Sequence, residues 1–242
     1  MANPPVTKPS WARPSPAKPP DAPANLFTAF PEHVSAQLFA SARRVTLAAD
    51  ELLFLAGDPG DGCYRIDQGL LKVSIIGPSG AERILAILGP GAIVGELATI
   101  DGLSRSASVT AVRDSELNFI SRAAFQSIAT AHPEVYQHLV ALLAARLRDT
   151  DEVLAAGSFL PLKGRVARAL LDLAEAFGHD VGGGRILIRQ KISQSDVAAM
   201  AGIARENVSR ILNDWIRLKL VSRLSGYYCL EDKAKLTKEI SL

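Results

Sequence analysis

Gly95-Glu96-Leu97-Ala98-Thr99-Ile100-Asp101-Gly102-Leu103-Ser104-Arg105-Ser106-Ala107-Ser108 sets a carboxylate and a guanidinium nine positions apart, between two glycine-marked strand regions. A carboxylate accepts a hydrogen bond from a sugar hydroxyl, and a guanidinium matches a phosphate in bidentate geometry. If a short helix opens after Gly95, its first backbone N–H groups add further donors. Glu96 and Arg105 therefore read either as the two ends of a small-ligand clamp or as an ion pair.

Outward from this stretch, Val45 to Ile120 is a series of short apolar runs punctuated by glycine, proline and aspartate. Runs at Glu51–Leu55, Cys63–Ile66, Leu70–Ile76 and Arg83–Leu88 are separated by turn residues at 57–60, 67–69, 77–80 and 89–91. Strands of this length and pitch predict an antiparallel roll, sandwich or barrel. Upstream, residues 1–25 hold eight of the fourteen prolines and read as a disordered extension. Residues 25–42 read as one or two short helices.

Downstream the pattern becomes helical. Tyr136, Val140, Leu143, Leu147, Thr150, Leu154 and Gly157 follow at alternating four- and three-residue spacing. This is a heptad seam with one polar position, read here as a helix paired in a homodimer. A second helix is predicted over 164–177, and Gly182-Gly183-Gly184 reads as a turn into a strand at 185–189. The triple glycine lacks the spacing and the Lys-Ser/Thr of a phosphate loop.

Ser193-Gln194-Ser195-Asp196 resembles a capping box opening a short helix that stops at Gly202. A second helix is predicted from Arg205 to about Lys219. On a helical wheel Val208, Ile211, Leu212 and Trp215 share one arc; Arg205, Glu206, Ser209, Arg210, Asn213 and Arg217 share the other. The pair is a helix-turn-helix, and arginine and glutamate early in its second helix suit base edges in a major groove. Residues 219–230, with a glycine turn at Gly226, read as the hairpin of a winged helix. Residues 161–242 carry 14 Lys/Arg against 9 Asp/Glu, and residues 1–160 carry 13 against 16, an asymmetry that suits a nucleic-acid partner for the C-terminal part.

Composition narrows the alternatives. The two cysteines, Cys63 and Cys229, support neither a disulfide framework nor an iron–sulfur cluster. The four histidines are scattered outside the roll strands, so neither haem nor a metal site is expected. No nucleophile–base pair marks an enzyme. No apolar run nears the roughly 20 residues of a membrane span and no secretory leader is evident, so a cytoplasmic location is expected.

The order of β-roll, seam helix and winged helix-turn-helix resembles the family of the cyclic-AMP receptor protein and the fumarate-nitrate regulator (Crp/Fnr). The resemblance rests on Gly95-Glu96-Leu97-Ala98 with Arg105-Ser106-Ala107, and on Ala204-Arg205-Glu206-Asn207-Val208-Ser209-Arg210. It implies an α+β fold with residues 26–132 as a cyclic-nucleotide-binding β-roll, 133–160 as dimerisation helix and hinge, and 161–242 as the DNA-binding domain. It implies cyclic AMP, or cyclic GMP, as effector, held by Gly95, Glu96, Leu97, Arg105, Ser106, Thr150 and Asp151. Glu96 would meet the ribose hydroxyl, Arg105 and Ser106 the cyclic phosphate, and Thr150 the base. Asp151 stands where the cyclic-AMP branch has a serine offered by the partner subunit, and Pro161 stands at the hinge where that branch has aspartate. For DNA it implies Arg205, Glu206, Ser209 and Arg210 on a palindromic site, with Arg205, Glu206 and Arg210 reading a half-site of the TGTGA type. RNA polymerase is an expected further partner. The alternatives are a regulator of the same fold with no nucleotide effector, and a cyclic-nucleotide-binding module regulating an enzyme or channel.

Overall fold

A computed structural model describes residue 40 and residues 42–240 of the 242. The proline-rich extension and most of the 25–42 segment lie outside the described residues. Two compact units divide the chain, one ending at Thr150 and the other beginning at Asp151.

The first unit is an antiparallel roll. Its strands are β1 (Arg43–Leu47), β2 (Leu52–Phe54), β3 (Gly62–Ile76), β4 (Glu82–Leu88), β5 (Ile93–Val94) and β6 (Ser108–Ser121). They pair in the order β1-β6-β3-β4, with β2 added to β6 and β5 to β3. Between β5 and β6 comes the short helix α1 (Glu96–Asp101), and after β6 come α2 (Arg122–Ala131) and the long α3 (Glu134–Phe159), which runs past the unit boundary at Thr150. Alternation along the strands turns Tyr64, Ile66, Leu71, Val109, Ala111 and Leu117 into one core. A second cluster of Cys63, Ile93, Ile120 and Phe125 takes in Val135 and Leu139 from the first turns of α3. Both are buried, so the start of α3 is anchored on the roll by apolar contact.

The spacing predicted two strands separated by a turn at Asp67-Gln68-Gly69; they are instead one strand of 15 residues. The register against β6 shifts between Ile66 and Gln68, between Gln68 and Leu70, and again between Leu70 and Leu71, so the predicted turn is a bulge. Gly69 permits it, with φ 105 and a position where a Cβ would lie 2.0 Å from Ser115 Oγ. Ser115 is buried and stitches the irregularity: its Oγ accepts from Leu70 N at 3.1 Å and donates to Arg113 O at 2.7 Å. Turn-type residues inside a ladder look the same in sequence as a turn between two ladders.

The second unit holds α4 (Leu162–Phe177), β7 (Gly178–Asp180), β8 (Ile186–Ile188), α5 (Gln194–Ala201), α6 (Arg205–Arg217), β9 (Val221–Leu224), β10 (Tyr227–Leu230) and α7 (Lys233–Glu239). Its strands pair in the order β7-β8-β10-β9. Ser193 Oγ accepts from Asp196 N at 3.0 Å and the Asp196 carboxylate accepts from Ser193 N at 3.0 Å, a complete capping box at the head of α5. Val166 and Leu170 of α4, Val197 of α5, and Val208, Leu212 and Trp215 of α6 are all buried, those of α6 as the wheel required. Ser225 and Gly226 both take positive φ, 51 and 88, which is the two-residue turn that matches the twist of the β9–β10 hairpin.

Candidate functional site

The stretch from Gly95 to Ser108 wraps α1 and returns to the roll. Gly95 caps α1 at φ 80 and ψ 10 without a side-chain hydrogen bond to the helix. Its missing Cβ leaves room for Arg105, since a Cβ there would lie 2.3 Å from Arg105 Nη1. Glu96 and Arg105 are each only 4% exposed, far below what unpaired charges tolerate.

Arg105 is held from three sides. Its Nη1 donates to Gly62 O at 2.6 Å and to Gly95 O at 2.9 Å. Its Nη2 donates to Asp61 Oδ1 at 2.9 Å. The guanidinium lies 4.3 Å from the centroid of the Phe54 ring, close enough for a cation–π contact. Nε, on the same edge as Nη2, is buried and has no hydrogen-bond partner.

Glu96 pairs with a different cation, Arg146, fifty residues further on in α3. Arg146 Nη2 also donates to Ile93 O at 2.5 Å, so the guanidinium ties α3 to the strand just before Gly95. The reading of Glu96 and Arg105 as one ion pair is corrected by these partners. Each is neutralised by a residue from another part of the roll unit, Glu96 by Arg146 and Arg105 by Asp61.

Around this centre, Ser106 is exposed beside Arg105, and Leu97 is 39% exposed on α1. Thr150 is exposed on α3 and its hydroxyl donates to Arg146 O at 2.8 Å, one turn back. Asp151 is exposed next to it. Gly95, Glu96 and Arg105 are thus brought into one neighbourhood, and Thr150 is one helical turn from the arginine that holds Glu96. Sequence reasoning missed Asp61 and Arg146. For Arg146 a signal existed, because it sits four residues before Thr150 and so on the same helix face. For Asp61 no local pattern announced it. Beneath the centre, Cys63 is 2% exposed, and burial pushes its thiol up to about 12.

Along α3, Tyr136, Val140, Leu147 and Leu154 are exposed apolar side chains in the seam positions. In the second unit, Arg205, Glu206 and Arg210 are exposed on the face of α6 opposite Trp215, and Ser209 is half-buried beside them. Arg210 Nη2 donates to Asn207 Oδ1 at 3.0 Å. Ala204 caps α6 without a side-chain acceptor, and its carbonyl oxygen accepts from Asn207 N at 3.0 Å.

Residues 44–132 match the cyclic nucleotide-binding domain family, and residues 164–239 match the Crp-like helix-turn-helix domain family. A CRP-like cAMP-activated global transcriptional regulator of Mycobacterium tuberculosis is 34% identical over 201 residues, covering 81% of this chain and 89% of that protein. The cyclic AMP receptor protein of Thermus thermophilus is 38% identical over 161 residues, covering 66% of this chain and 71% of that protein. The solved structure of a CRP/FNR-family transcriptional regulator from Thermus thermophilus superposes with a TM-score of 0.68 at 25% identity, covering 83% of this chain and 99% of that one. A nucleotide-binding roll followed by a winged helix-turn-helix, with both domains matched and a relative similar along most of its length, leaves one assignment: this chain belongs to the Crp/Fnr family of DNA-binding transcription regulators.

Proposed function

We propose that this regulator is a homodimer that binds a cyclic nucleotide, cyclic AMP first and cyclic GMP as the alternative, and then engages a palindromic double-stranded DNA site. The observation that carries the reading is the Arg105 guanidinium, locked by two carbonyls and one ring yet with a buried Nε that lacks a partner. A buried donor left unsatisfied costs about 1–3 kcal/mol, and a phosphate oxygen on the Nε–Nη2 edge relieves that cost in bidentate geometry. Gly95, Glu96, Leu97, Arg105 and Ser106 would form the sugar–phosphate end, with Glu96 accepting from the ribose hydroxyl. Thr150 and Asp151 would face the base, where a carboxylate accepts from the adenine amino group or from guanine N1–H and N2–H.

The effector acts by binding one of two arrangements of the dimer more tightly. Arg146 suits a role in this step, because it joins Glu96 to α3, the helix that carries the exposed seam. On the DNA side, Arg205 and Arg210 would donate to guanine O6 and N7, Glu206 would accept from cytosine N4, and Ser209 would support the same edge. The head of α6, which has no side-chain cap, would favour an adjacent backbone phosphate. RNA polymerase is the expected partner of the DNA-bound dimer.

Calorimetric titration of the full chain with cyclic AMP and cyclic GMP tests the effector. Saturable binding of either, abolished in Arg105→Leu, is the expected result; no saturation with both would refute it. A second reading, a regulator that binds DNA without a nucleotide, draws on the fact that Glu96 and Arg105 already have protein partners. Mobility shifts of equal strength with and without cyclic nucleotide would favour it.

A further inference from the structure

The carboxylate of Asp61 is the one charge in the Arg105 cluster whose position the clamp does not explain. Arg105 is 2% exposed at its side chain, whereas Asp61 is 68% exposed, so Asp61 lies on the solvent side of the guanidinium. It holds Nη2 at 2.9 Å and leaves Nε, the other donor of that edge, unpartnered. Its backbone is fixed, because Asp61 O accepts from Arg122 N at 2.9 Å at the entrance to β3. Any anion reaching the Nε–Nη2 edge must approach this carboxylate closely.

We infer that Asp61 is a specificity-determining residue that filters ligands by phosphate charge, admitting the singly charged cyclic phosphodiester and rejecting the doubly charged phosphomonoester. This rests on the reading that a phosphate sits on Arg105. Arg105 attracts every unit of ligand charge and Asp61 opposes every unit, so the carboxylate cuts back the preference that the guanidinium alone would give a doubly charged ligand. Two unit charges roughly 5 Å apart, at an effective permittivity between the about 20 of a protein surface and the about 80 of bulk water, oppose each other by on the order of tenfold in affinity per unit of ligand charge. A phosphomonoester carries about −1.5 to −2 at neutral pH, with a second pKa near 6, and a cyclic or methylated diester carries one charge. The filter therefore acts on the difference between nucleoside monophosphates, abundant wherever RNA turns over, and their cyclic counterparts. Other groups around Asp61 do not reproduce it. Arg105 attracts both ligands, and Tyr64 is kept neutral because burial, with Asp61 next, raises its phenol.

The test is displacement of a fluorescent cyclic AMP analogue from the full chain and from Asp61→Asn, which keeps the hydrogen-bonding oxygen and removes the charge. Competitors are cyclic AMP, adenosine 5′-monophosphate and its 5′-O-methyl ester, at pH 7.5 and pH 5.5. At pH 7.5 the substitution is expected to tighten cyclic AMP and the methyl ester about tenfold and the monophosphate several-fold more, up to about a hundredfold. At pH 5.5, where most of the monophosphate is singly charged, the excess gain of the monophosphate disappears. An unchanged ratio of monophosphate to methyl ester at pH 7.5, or an equal change at both pH values, overturns the filter while leaving nucleotide binding intact. Failure of the fluorescent analogue, cyclic AMP and cyclic GMP all to bind the unsubstituted chain overturns the reading of Arg105 and the filter with it.

Discussion

Replacing Gly95 with alanine separates two costs that the structure places at one position. The first is conformational: Gly95 has φ 80, and a Cβ in the left-handed region costs about 1–2 kcal/mol. The second is steric: the Cβ would lie 2.3 Å from Arg105 Nη1 and 3.3 Å from Gly62 O. An arginine tip usually swings away, but this one is held by Gly62 O, Gly95 O and Asp61, with Phe54 packed at 4.3 Å. Retreat breaks at least one hydrogen bond to a charged group, about 1.5–3 kcal/mol. Gly95→Ala should therefore destabilise the roll by about 2.5–5 kcal/mol. Gly57 supplies the control, with φ 92 and nothing within 4 Å of its missing Cβ, so Gly57→Ala should cost only the conformational ~1–2 kcal/mol. Native-state hydrogen exchange, followed on peptides from the Gly62–Ile76 strand, measures the opening free energy of the roll alone. Cyclic AMP titrations on the same samples should show Gly95→Ala weakened more than tenfold and Gly57→Ala little changed. Equal losses of opening energy in the two variants would refute the claim that Arg105 is pinned against Gly95.

Three further outcomes follow from the same contacts. Leu147 and Leu154 are 63% and 69% exposed in the α3 seam, so Leu147→Glu with Leu154→Glu should leave a folded monomer in sedimentation velocity at micromolar concentration. Arg205→Ala and Arg210→Ala should each relax base preference at one half-site position by about 1–3 kcal/mol in competition binding, whereas equal weakening on every sequence would make them phosphate contacts. Cys63 has its thiol raised from 9.0 to about 12 by burial, so between those values the unfolded chain releases a proton that the folded chain keeps. Stability of the roll should then fall with rising pH above 9, by up to about 1.4 kcal/mol per unit, and Cys63→Ala should remove that slope in alkaline denaturant melts.

What could be read from single segments was whatever local rules encode. The capping box at Ser193, the stop at Gly202 and the two-sided wheel of α6 each depend on residues within four positions of one another. The clamp residues Gly95, Glu96 and Arg105 were legible together because a ten-residue excursion from the roll leaves and returns near one place. The strand from Gly62 to Ile76 was misread as two, since Asp67-Gln68-Gly69 carries turn chemistry and only the pairing of Leu70 and Ser115 makes it a bulge.

By itself, then, the amino-acid sequence determined the roll texture, the long helix and the helix-turn-helix, their order, and the identity of the charged groups offered to a ligand and to DNA. These follow from periodicity, capping and turn chemistry, all of short range. The tertiary structure alone decided who neutralises whom. Arg105 meets Asp61 across 44 residues and Glu96 meets Arg146 across 50, because roll closure and the docking of α3 bring those segments together. A buried charge takes whatever counter-charge the packing delivers, and sequence separation carries no information about it. Residues 95–108 offered a carboxylate and a guanidinium that read as a clamp or as an ion pair, and the packing gave each its own counter-charge.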